Sequence, residues 1–177
     1  MKTARLTLLK VRRLAGLPRH RGKLIAGPLI LPCALGPAGI VRGKREGDGG
    51  TPRGRMALLR LHARPDRPRP ATALPVTAIR PDAGWCDDPA HRAYNRPVPL
   101  PFAASHERMW REDALYDLVV ELDWNRRPAA RPGRGSAIFM HAARPGFAAT
   151  AGCVALRPAD LRRLLRRVGP GTVLDVR

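Results

Sequence analysis

A histidine and a cysteine near the carboxyl end of the chain have the residue types and the spacing of a nucleophile with its base. His141 ends the apolar run SAIFMH, and Cys153 follows twelve residues later, after the segment AARPGFAATAG. An imidazole can accept a thiol proton, and a neighbouring imidazolium lowers the thiol pKa from its usual value of about 8.5. If a strand, a returning loop and a second strand set these groups side by side, the resulting thiolate can attack carbonyl carbon.

Gly152 precedes the cysteine and leaves room for a carbonyl group to approach the sulfur. The backbone amides of Gly152 and Cys153 are therefore candidate donors to the oxyanion that forms during attack. A purely structural interpretation also fits, because cysteine is among the most buried residue types and a histidine at a strand end is often a hydrogen-bonded structural group. Spacing alone leaves both interpretations open.

The other two cysteines, Cys33 and Cys86, lack the CxxC spacing of a zinc site. The odd total of three leaves at least one thiol unpaired in any disulfide scheme. An exported protein could bridge Cys33 to Cys86, but two buried structural thiols are the favoured interpretation.

Two loops carry more functional groups than a simple connection needs. The segment GKREGDGGTPRG, at 43–54, has the glycines of open turns, and it is either a hairpin connection or a rim that contacts a substrate. It lacks the Lys-Ser/Thr pair of a phosphate-binding P-loop. The polar segment 84–101 is either an ordinary loop or a functional flap, in which Tyr94 is a candidate substrate contact.

The elements that must position these residues are mostly short strands. Nineteen prolines and seventeen glycines in 177 residues favour short elements joined by turns. Alternation in YDLVVELD predicts a half-buried strand, with Leu118 and Val120 on the buried face and Glu121 on the other. Further strands are predicted within 23–41, 56–61, 136–141 and 172–176. Residues 1–22 are interpreted as either a short strand or a tail that leads into the domain.

Two short helices complete the expected architecture. Ser105 is a candidate cap for a helix over 106–115, and an amphipathic helix is predicted to begin at Pro158 and to stop before Gly169. Together these elements indicate a mainly β fold with two or so short helices. One domain is expected at 23–177, after a basic N-terminal segment at 1–22.

The formal net charge of +19 raises the question of a polyanionic partner such as nucleic acid or an anionic wall polymer. Basic residues are spread along the whole chain instead of forming one dense stripe, so we expect no specific nucleic-acid binding. The first apolar run, at 6–9, is shorter than a signal-peptide core of roughly 7 to 15 residues. We therefore expect no recognisable export signal, and no transmembrane helix, which needs ~20 apolar residues.

Three ordered motifs resemble those of one enzyme family. IFMH at 138–141, followed by TAGCVAL at 150–156, resembles the His and Ser/Thr-x-Gly-Cys motifs of the L,D-transpeptidases, the YkuD-like family. EGDGGTPRG at 46–54 is similar to the family's EGDxxTPxG segment, and GWCDDP with YNRP, within 84–97, is similar to its short stand-alone bacterial members. The resemblance extends from about residue 26 to residue 176.

The resemblance implies a β-rich, sandwich-like catalytic domain that needs no metal and no organic cofactor. Cys153 matches the acylated nucleophile, His141 the general base, Gly152 the oxyanion site and Thr150 the motif's Ser/Thr. The implied partners are peptidoglycan stem peptides and acylating carbapenem-type inhibitors, and the implied location is the cell envelope or periplasm. The implied reaction is transfer of a stem peptide through a thioester, in cell-wall biogenesis.

The chain departs from the family pattern at Ala151, where a second histidine is common, and at Ala155, where Arg or Asn is common. Arg144, in the loop between the two motifs, could bind a stem carboxylate in compensation. Two alternatives therefore remain beside transpeptidation. One is an L,D-carboxypeptidase that uses water with the same Cys-His pair, and the other is a basic, non-catalytic protein that binds a polyanion.

Overall fold

The computed structural model describes residues 5–126 and 128–177, so 1–4 of the predicted N-terminal segment lie outside the described part. Strands hold 37% of the residues and helix 6%, which confirms the predicted mainly β class. A 3₁₀ turn lies at Pro145–Phe147. The elements are β1 (Leu8–Arg13), β2 (Arg21–Ala26), β3 (Leu29–Ala34), β4 (Gly39–Val41), β5 (Gly50–Pro52), β6 (Gly54–Ala63), β7 (Val76–Ala78), β8 (Ala83–Cys86), β9 (Arg96–Pro99), β10 (His106–Arg108), β11 (Leu118–Leu122), β12 (Phe139–Ala142), β13 (Val154–Leu156), α1 (Pro158–Leu165) and β14 (Val173–Val176).

The main sheet has the strand order β11-β12-β13-β3-β2-β1-β14-β6-β7, and β6 also pairs with β11. This extra pairing joins the ends of an eight-stranded ring, so the sheet closes in the manner of a barrel. Strand β6 is long enough to close the ring because its first residues pair with β14 and its later residues with β11. Closure leaves few strand edges open to other chains.

Strand β1 lies inside the predicted N-terminal segment and is an internal member of the ring. It pairs in parallel with β14 and antiparallel with β2. Leu9 and Val11 are fully buried, whereas Leu8 and Lys10 are exposed. This alternation is the period-two pattern of a strand with one face in a core.

The ring encloses one apolar cluster, to which most of its strands contribute and which includes Leu24, Met56 and Leu156. Helix α1 adds Leu161 and Leu164 to this cluster, which confirms the predicted amphipathic helix. Pro158 suits the first turn because its missing N–H would have no partner there. No helix in the described residues is long and apolar enough to cross a bilayer.

The other predicted helix, over 106–115, is wrong. Residues 106–108 form β10, which pairs antiparallel with β8, and turns follow. Ala114 has a φ of 59°, which an α-helix does not allow. Pairing with β8 satisfies the backbone of this segment and outweighs the weak local signal of a cap at Ser105.

Strands β10, β8 and β9 form a second, smaller sheet that lies on the outer face of the ring. A second apolar cluster fills the space between the two and contains Trp85, Val119, Phe139 and Cys153. The Trp85 ring meets the Phe139 ring edge-on, with centroids 4.9 Å apart. The prediction of a half-buried β11 is wrong on this face, because the smaller sheet covers it and Glu121 is buried with the rest of the strand.

Candidate active site

Cys153 lies directly before β13, with its side chain in the second apolar cluster. Its thiol donates to the carbonyl oxygen of Ala137 at 3.2 Å and accepts from the amide of Phe139 at 3.3 Å. The residue is 4% exposed. The sulfur is therefore held by backbone groups of the chain entering β12, at the inner end of a cavity.

His141 lies in β12, which runs parallel to β13 and places His141 opposite Ala155. His141 and Cys153 consequently line the same cavity, of about 190 Å³. The imidazole Nδ1 lies 2.8 Å from the carbonyl oxygen of Ala142. Because a carbonyl only accepts, Nδ1 carries the hydrogen of a neutral ring, and Nε2 is the nitrogen free to accept a proton.

Burial shifts the pKa values of Cys153 and His141 in opposite directions, and both shifts favour the neutral form of the group. Burial raises the pKa of the Cys153 thiol to about 12, and the nearby Glu107 carboxylate acts in the same direction. Burial lowers the pKa of His141 to about 4, and the charges of Arg111 and Arg144 add to this effect. The expected thiolate stabilised by an imidazolium is therefore not favoured in this structure, because burial in the cavity penalises both charges.

Thr150 organises the turn that carries the cysteine. Its hydroxyl donates to the carbonyl oxygen of Cys153 at 2.7 Å and accepts from the amide of Gly152 at 3.1 Å. Thr150 lines the cavity, but its hydroxyl hydrogen is engaged within the turn. The Gly152 amide is engaged as well, which makes the Cys153 amide the better candidate donor to an oxyanion.

Gly152 is required by space as well as by conformation. Its φ is +129°, and a Cβ at this position would lie 2.7 Å from the carbonyl oxygen of Gly50. Gly50 belongs to the glycine-rich loop 43–54, in which the Asp48 carboxylate accepts from the amides of Arg45 and Gly50. This loop packs behind the cysteine turn, and none of its residues lines the Cys153 cavity.

Sequence reasoning missed the polar groups on the wall opposite the cysteine. Glu107 lines the cavity and accepts a hydrogen bond of 2.6 Å from the hydroxyl of Tyr116. The Tyr116 ring in turn meets the His141 ring edge-on at 5.1 Å. Glu107 lies within the helix predicted over 106–115, which does not form, and Tyr116 begins the run YDLVVELD but lies in the turn before β11. No local pattern therefore marks either residue.

Arg144 lines the same cavity at its open side, and Arg111 joins it there. Arg111 binds the Asp113 carboxylate with both ends of its guanidinium, and Arg144 lies 3.9 Å from the same carboxylate. The Arg144 side chain is 56% exposed. Two guanidiniums thus share one carboxylate, which leaves a net positive charge at the entrance.

The structure does not bring Tyr94 into this cavity. Tyr94 is buried and its hydroxyl donates to Glu46, a residue that also accepts from Ser136 at 2.8 Å. Asn95, the next residue, is connected to the Cys153 thiol through two hydrogen bonds that involve Ala137. The Asn95 side-chain oxygen accepts from the amide of Ala137 at 3.0 Å and so fixes the residue whose carbonyl receives the thiol hydrogen.

Cys33 and Cys86 are both buried and free, as the preferred sequence interpretation expected. Desolvation raises the pKa of Cys33 to about 12 and raises that of Cys86 as well. Within 5–126 and 128–177, no group of three or more His, Cys, Asp or Glu residues is placed to hold a metal ion.

The chain matches the model of a known protein family over most of its length. The family model YkuD, described as the L,D-transpeptidase catalytic domain, matches residues 17–176. The matched range includes β2 to β14 and every residue that lines the Cys153 cavity. Among curated proteins, none matches the chain.

Proposed function

Because this chain belongs to the YkuD family of L,D-transpeptidase catalytic domains, we propose that it transfers peptidoglycan stem peptides through a thioester on Cys153, with His141 as general base. One observation carries the proposal. The thiol and the imidazole line one cavity, and the imidazole presents its unprotonated Nε2. The expected site of action is the cell envelope, where peptidoglycan lies.

In the first half-reaction, Sγ of Cys153 attacks the carbonyl carbon of the amide bond that joins the L-centre of a diamino acid to a terminal D-alanine. The thiol proton moves to Nε2 of His141 as the carbon–sulfur bond forms. The resulting imidazolium then gives this proton to the departing amine of D-alanine. Because burial disfavours a free thiolate, proton transfer accompanies attack, and the negative charge passes to the substrate oxygen near the Cys153 amide.

In the second half-reaction, the amine of another stem attacks the thioester carbonyl. Nε2 of His141 takes a proton from this amine, a new amide bond forms, and the sulfur leaves and recovers its proton. Water in place of the amine would give a carboxypeptidase. Arg144 lines the cavity with a side chain that is 56% exposed, and we assign it to the stem carboxylate, since a guanidinium fork matches a carboxylate.

The test is mass spectrometry of the intact protein after exposure to a carbapenem, with peptide mapping of the adduct. We expect one adduct on Cys153, no adduct on the Cys153→Ala variant, and slow adduct formation by His141→Gln. Cys33→Ser is the matched control, because Cys33 is equally buried but lies outside the cavity, and it should still form the adduct.

An adduct on Cys33 or Cys86, or no adduct at all on a folded protein, would contradict the proposal. A second assay supplies tetrapeptide stems with and without a free amine acceptor. Cross-linked dimers define a transpeptidase, and tripeptide alone defines a carboxypeptidase. A non-catalytic polyanion binder would form neither product and would bind wall polymer equally well as Cys153→Ala.

A further inference from the structure

The described chain contains a second cavity, of about 460 Å³, between the outer face of the ring and the smaller sheet. It shares no lining residue with the Cys153 cavity. Trp85 lines it and packs against Phe139, whose amide binds the Cys153 sulfur. The proposed transferase reaction gives this second cavity no role.

The floor of the second cavity is apolar. Trp85, Ile79 and Met109 are almost completely buried and line it, and Val98 adds a further aliphatic surface. A concave, mostly apolar site with a few convergent polar groups is the usual form of a small-molecule binding site. Its volume is within the range of about 300 to 1,000 Å³ that such sites have.

The charged wall of the cavity is built around one buried carboxylate. Glu121 is 3% exposed, and its Oε2 lies 2.8 Å from Nε2 of His62. Arg126 lies 3.0 Å from Oε1, and Arg60 lies 3.7 Å from Oε2. Desolvation acts to raise the pKa of Glu121, but the hydrogen bond from His62 and the two guanidinium charges outweigh it and lower the pKa, so Glu121 is ionised at neutral pH.

Two guanidiniums against one carboxylate leave a positive charge on this wall. Arg126 also donates to the carbonyl oxygen of Asn95 at 3.0 Å, and Arg60 donates to the hydroxyl of Thr77 at 3.2 Å. Their side chains are nevertheless 27% and 48% exposed, so an anion in the cavity can approach both guanidiniums. Arg80 and Asp82, which also line the cavity, pair with each other at 3.0 Å and add no net charge. Arg126 also lies over the Trp85 ring, with 5.4 Å from its Cζ to the ring centroid, which places the cation directly beside the apolar floor.

We propose that this second cavity binds a small amphipathic anion, with its apolar body on Trp85, Ile79 and Met109 and its carboxylate or similar oxyanion held by Arg60 and Arg126. The positive wall and the apolar floor meet at Trp85, so a ligand that carries both features satisfies both. A purely inorganic anion would leave the floor empty. An uncharged apolar molecule would leave the excess positive charge of the wall without a counterion.

The probe is 1-anilinonaphthalene-8-sulfonate, an aromatic anion, and its comparison is the uncharged N-phenyl-1-naphthylamine. Binding is followed by fluorescence of the probe at 20 °C with the folded, full-length chain. We expect one saturable site for the anion, displaced by 4-phenylbutyrate at concentrations at least tenfold lower than by 4-phenylbutanol, and not displaced by inorganic phosphate.

Variants assign the site. Ala78→Trp fills the cavity from the exposed edge strand β7 and should reduce the affinity for both probes at least tenfold. The pair Arg60→Gln and Arg126→Gln should weaken the anion at least tenfold and the uncharged probe less than twofold. Arg163→Gln with Arg166→Gln is the matched control, because it removes the same charge from exposed positions near the end of α1.

Near-UV circular dichroism verifies that each variant is folded before binding is compared. If Ala78→Trp binds the anionic probe as the unmodified chain does, the probe lies elsewhere and the proposal is wrong. If the control pair weakens binding as much as the cavity pair, the attraction is a general effect of net charge and the proposal is also wrong. Adduct formation on Cys153 should persist in Ala78→Trp, so this result is separate from the test of the transferase.

Discussion

At the scale of single residues, burial decides the protonation of the candidate catalytic pair. Cys153 and His141 are both almost completely buried, and burial moves the thiol pKa up and the imidazole pKa down. The result is a neutral thiol facing a cavity that holds a neutral base. Under the proposed mechanism, such a pair reacts when a substrate carbonyl accepts the charge, and the neutral thiol is a weak nucleophile towards other electrophiles.

The first prediction concerns the acid limb of acylation. A general base must be unprotonated, and His141 is unprotonated above its pKa of about 4. We therefore expect the second-order rate of carbapenem acylation to stay high down to pH 5 and to fall by half near pH 4. The measurement is a series of acylation rates from pH 3.5 to pH 8, with return to pH 7 to verify that the protein remains intact. A midpoint near 6.5 would contradict the prediction.

The second prediction concerns Thr150. Thr150→Val removes the hydroxyl that binds the Cys153 carbonyl and the Gly152 amide, and each lost hydrogen bond costs about 1 kcal/mol. We expect the acylation rate to fall at least tenfold, since about 1.4 kcal/mol corresponds to a factor of ten. Thr150→Ser keeps the hydroxyl and should remain within about threefold of the unmodified rate. Equal rates for the two variants would show that the hydroxyl does not position the cysteine.

At the scale of elements, the cysteine turn and the glycine-rich loop 43–54 depend on each other. The carbonyl of Gly50 fills the space that a Cβ on Gly152 would need, and the loop is held in shape by Asp48. The two motifs therefore meet through backbone, although neither charge nor periodicity in the sequence connects them. A side chain at position 152 would therefore require one of the two segments to move.

The third prediction uses two glycines that differ in this contact. Gly152→Ala introduces both an unfavourable φ and a clash with the Gly50 carbonyl, and we expect a loss of about 3 kcal/mol in the free energy of unfolding. Gly146 has a φ of +69° with nothing within 4 Å of a Cβ, so Gly146→Ala should cost only about 1 kcal/mol. Urea titrations of both variants measure the difference. Equal losses would mean that conformation alone, and not the contact, requires Gly152.

At the scale of the whole molecule, the smaller sheet converts the outer face of the ring into a second interior. Cys153, Glu121 and the Trp85 to Phe139 contact all lie in this second layer. The layer contains ionisable groups whose pKa values differ between the folded and unfolded chain. The free energy of unfolding should therefore decrease both at acid and at alkaline pH.

The fourth prediction is a plateau of stability between about pH 6.5 and pH 9. The lowered pKa of His141 stabilises the fold above the unfolded value of about 6.5, and this contribution is lost as the pH falls towards 4. The lowered pKa values of Glu121 and Asp175 add a further loss at lower pH. The raised pKa values of Cys33 and Cys153 give stability that is lost as the pH rises from 9 towards 12.

Urea midpoints from pH 4 to pH 10.5 measure this profile. His141→Gln should flatten the decline between pH 6.5 and pH 4, and Cys153→Ala should flatten the decline on the alkaline side. If the midpoint instead rises as the pH falls from 6.5 to 5, the direction assigned to His141 is wrong.

The sequence by itself determined the features that depend on neighbours along the chain. Short apolar runs predicted most of the ring strands, and alternation in YDLVVELD predicted β11. The repeat of leucines after Pro158 predicted α1, and the ordered motifs identified the family. The spacing of His141 and Cys153 permitted a pair without requiring one, and the resemblance to the family favoured it. In the fold, His141 lies in β12 and Cys153 lies directly before β13. These signals are local, so they can be recognised before the chain is folded.

Only the tertiary structure decided which residues surround that pair and which strand faces are buried from solvent. Residues 106–108 became a strand because β8 offered them hydrogen bonds, and this pairing brought Glu107 beside Tyr116 and the thiol. Glu121 became a buried carboxylate because the smaller sheet covers its strand. Burial, and with it the pKa values of Cys153 and His141, depends on chain segments far apart in sequence, which no local pattern specifies.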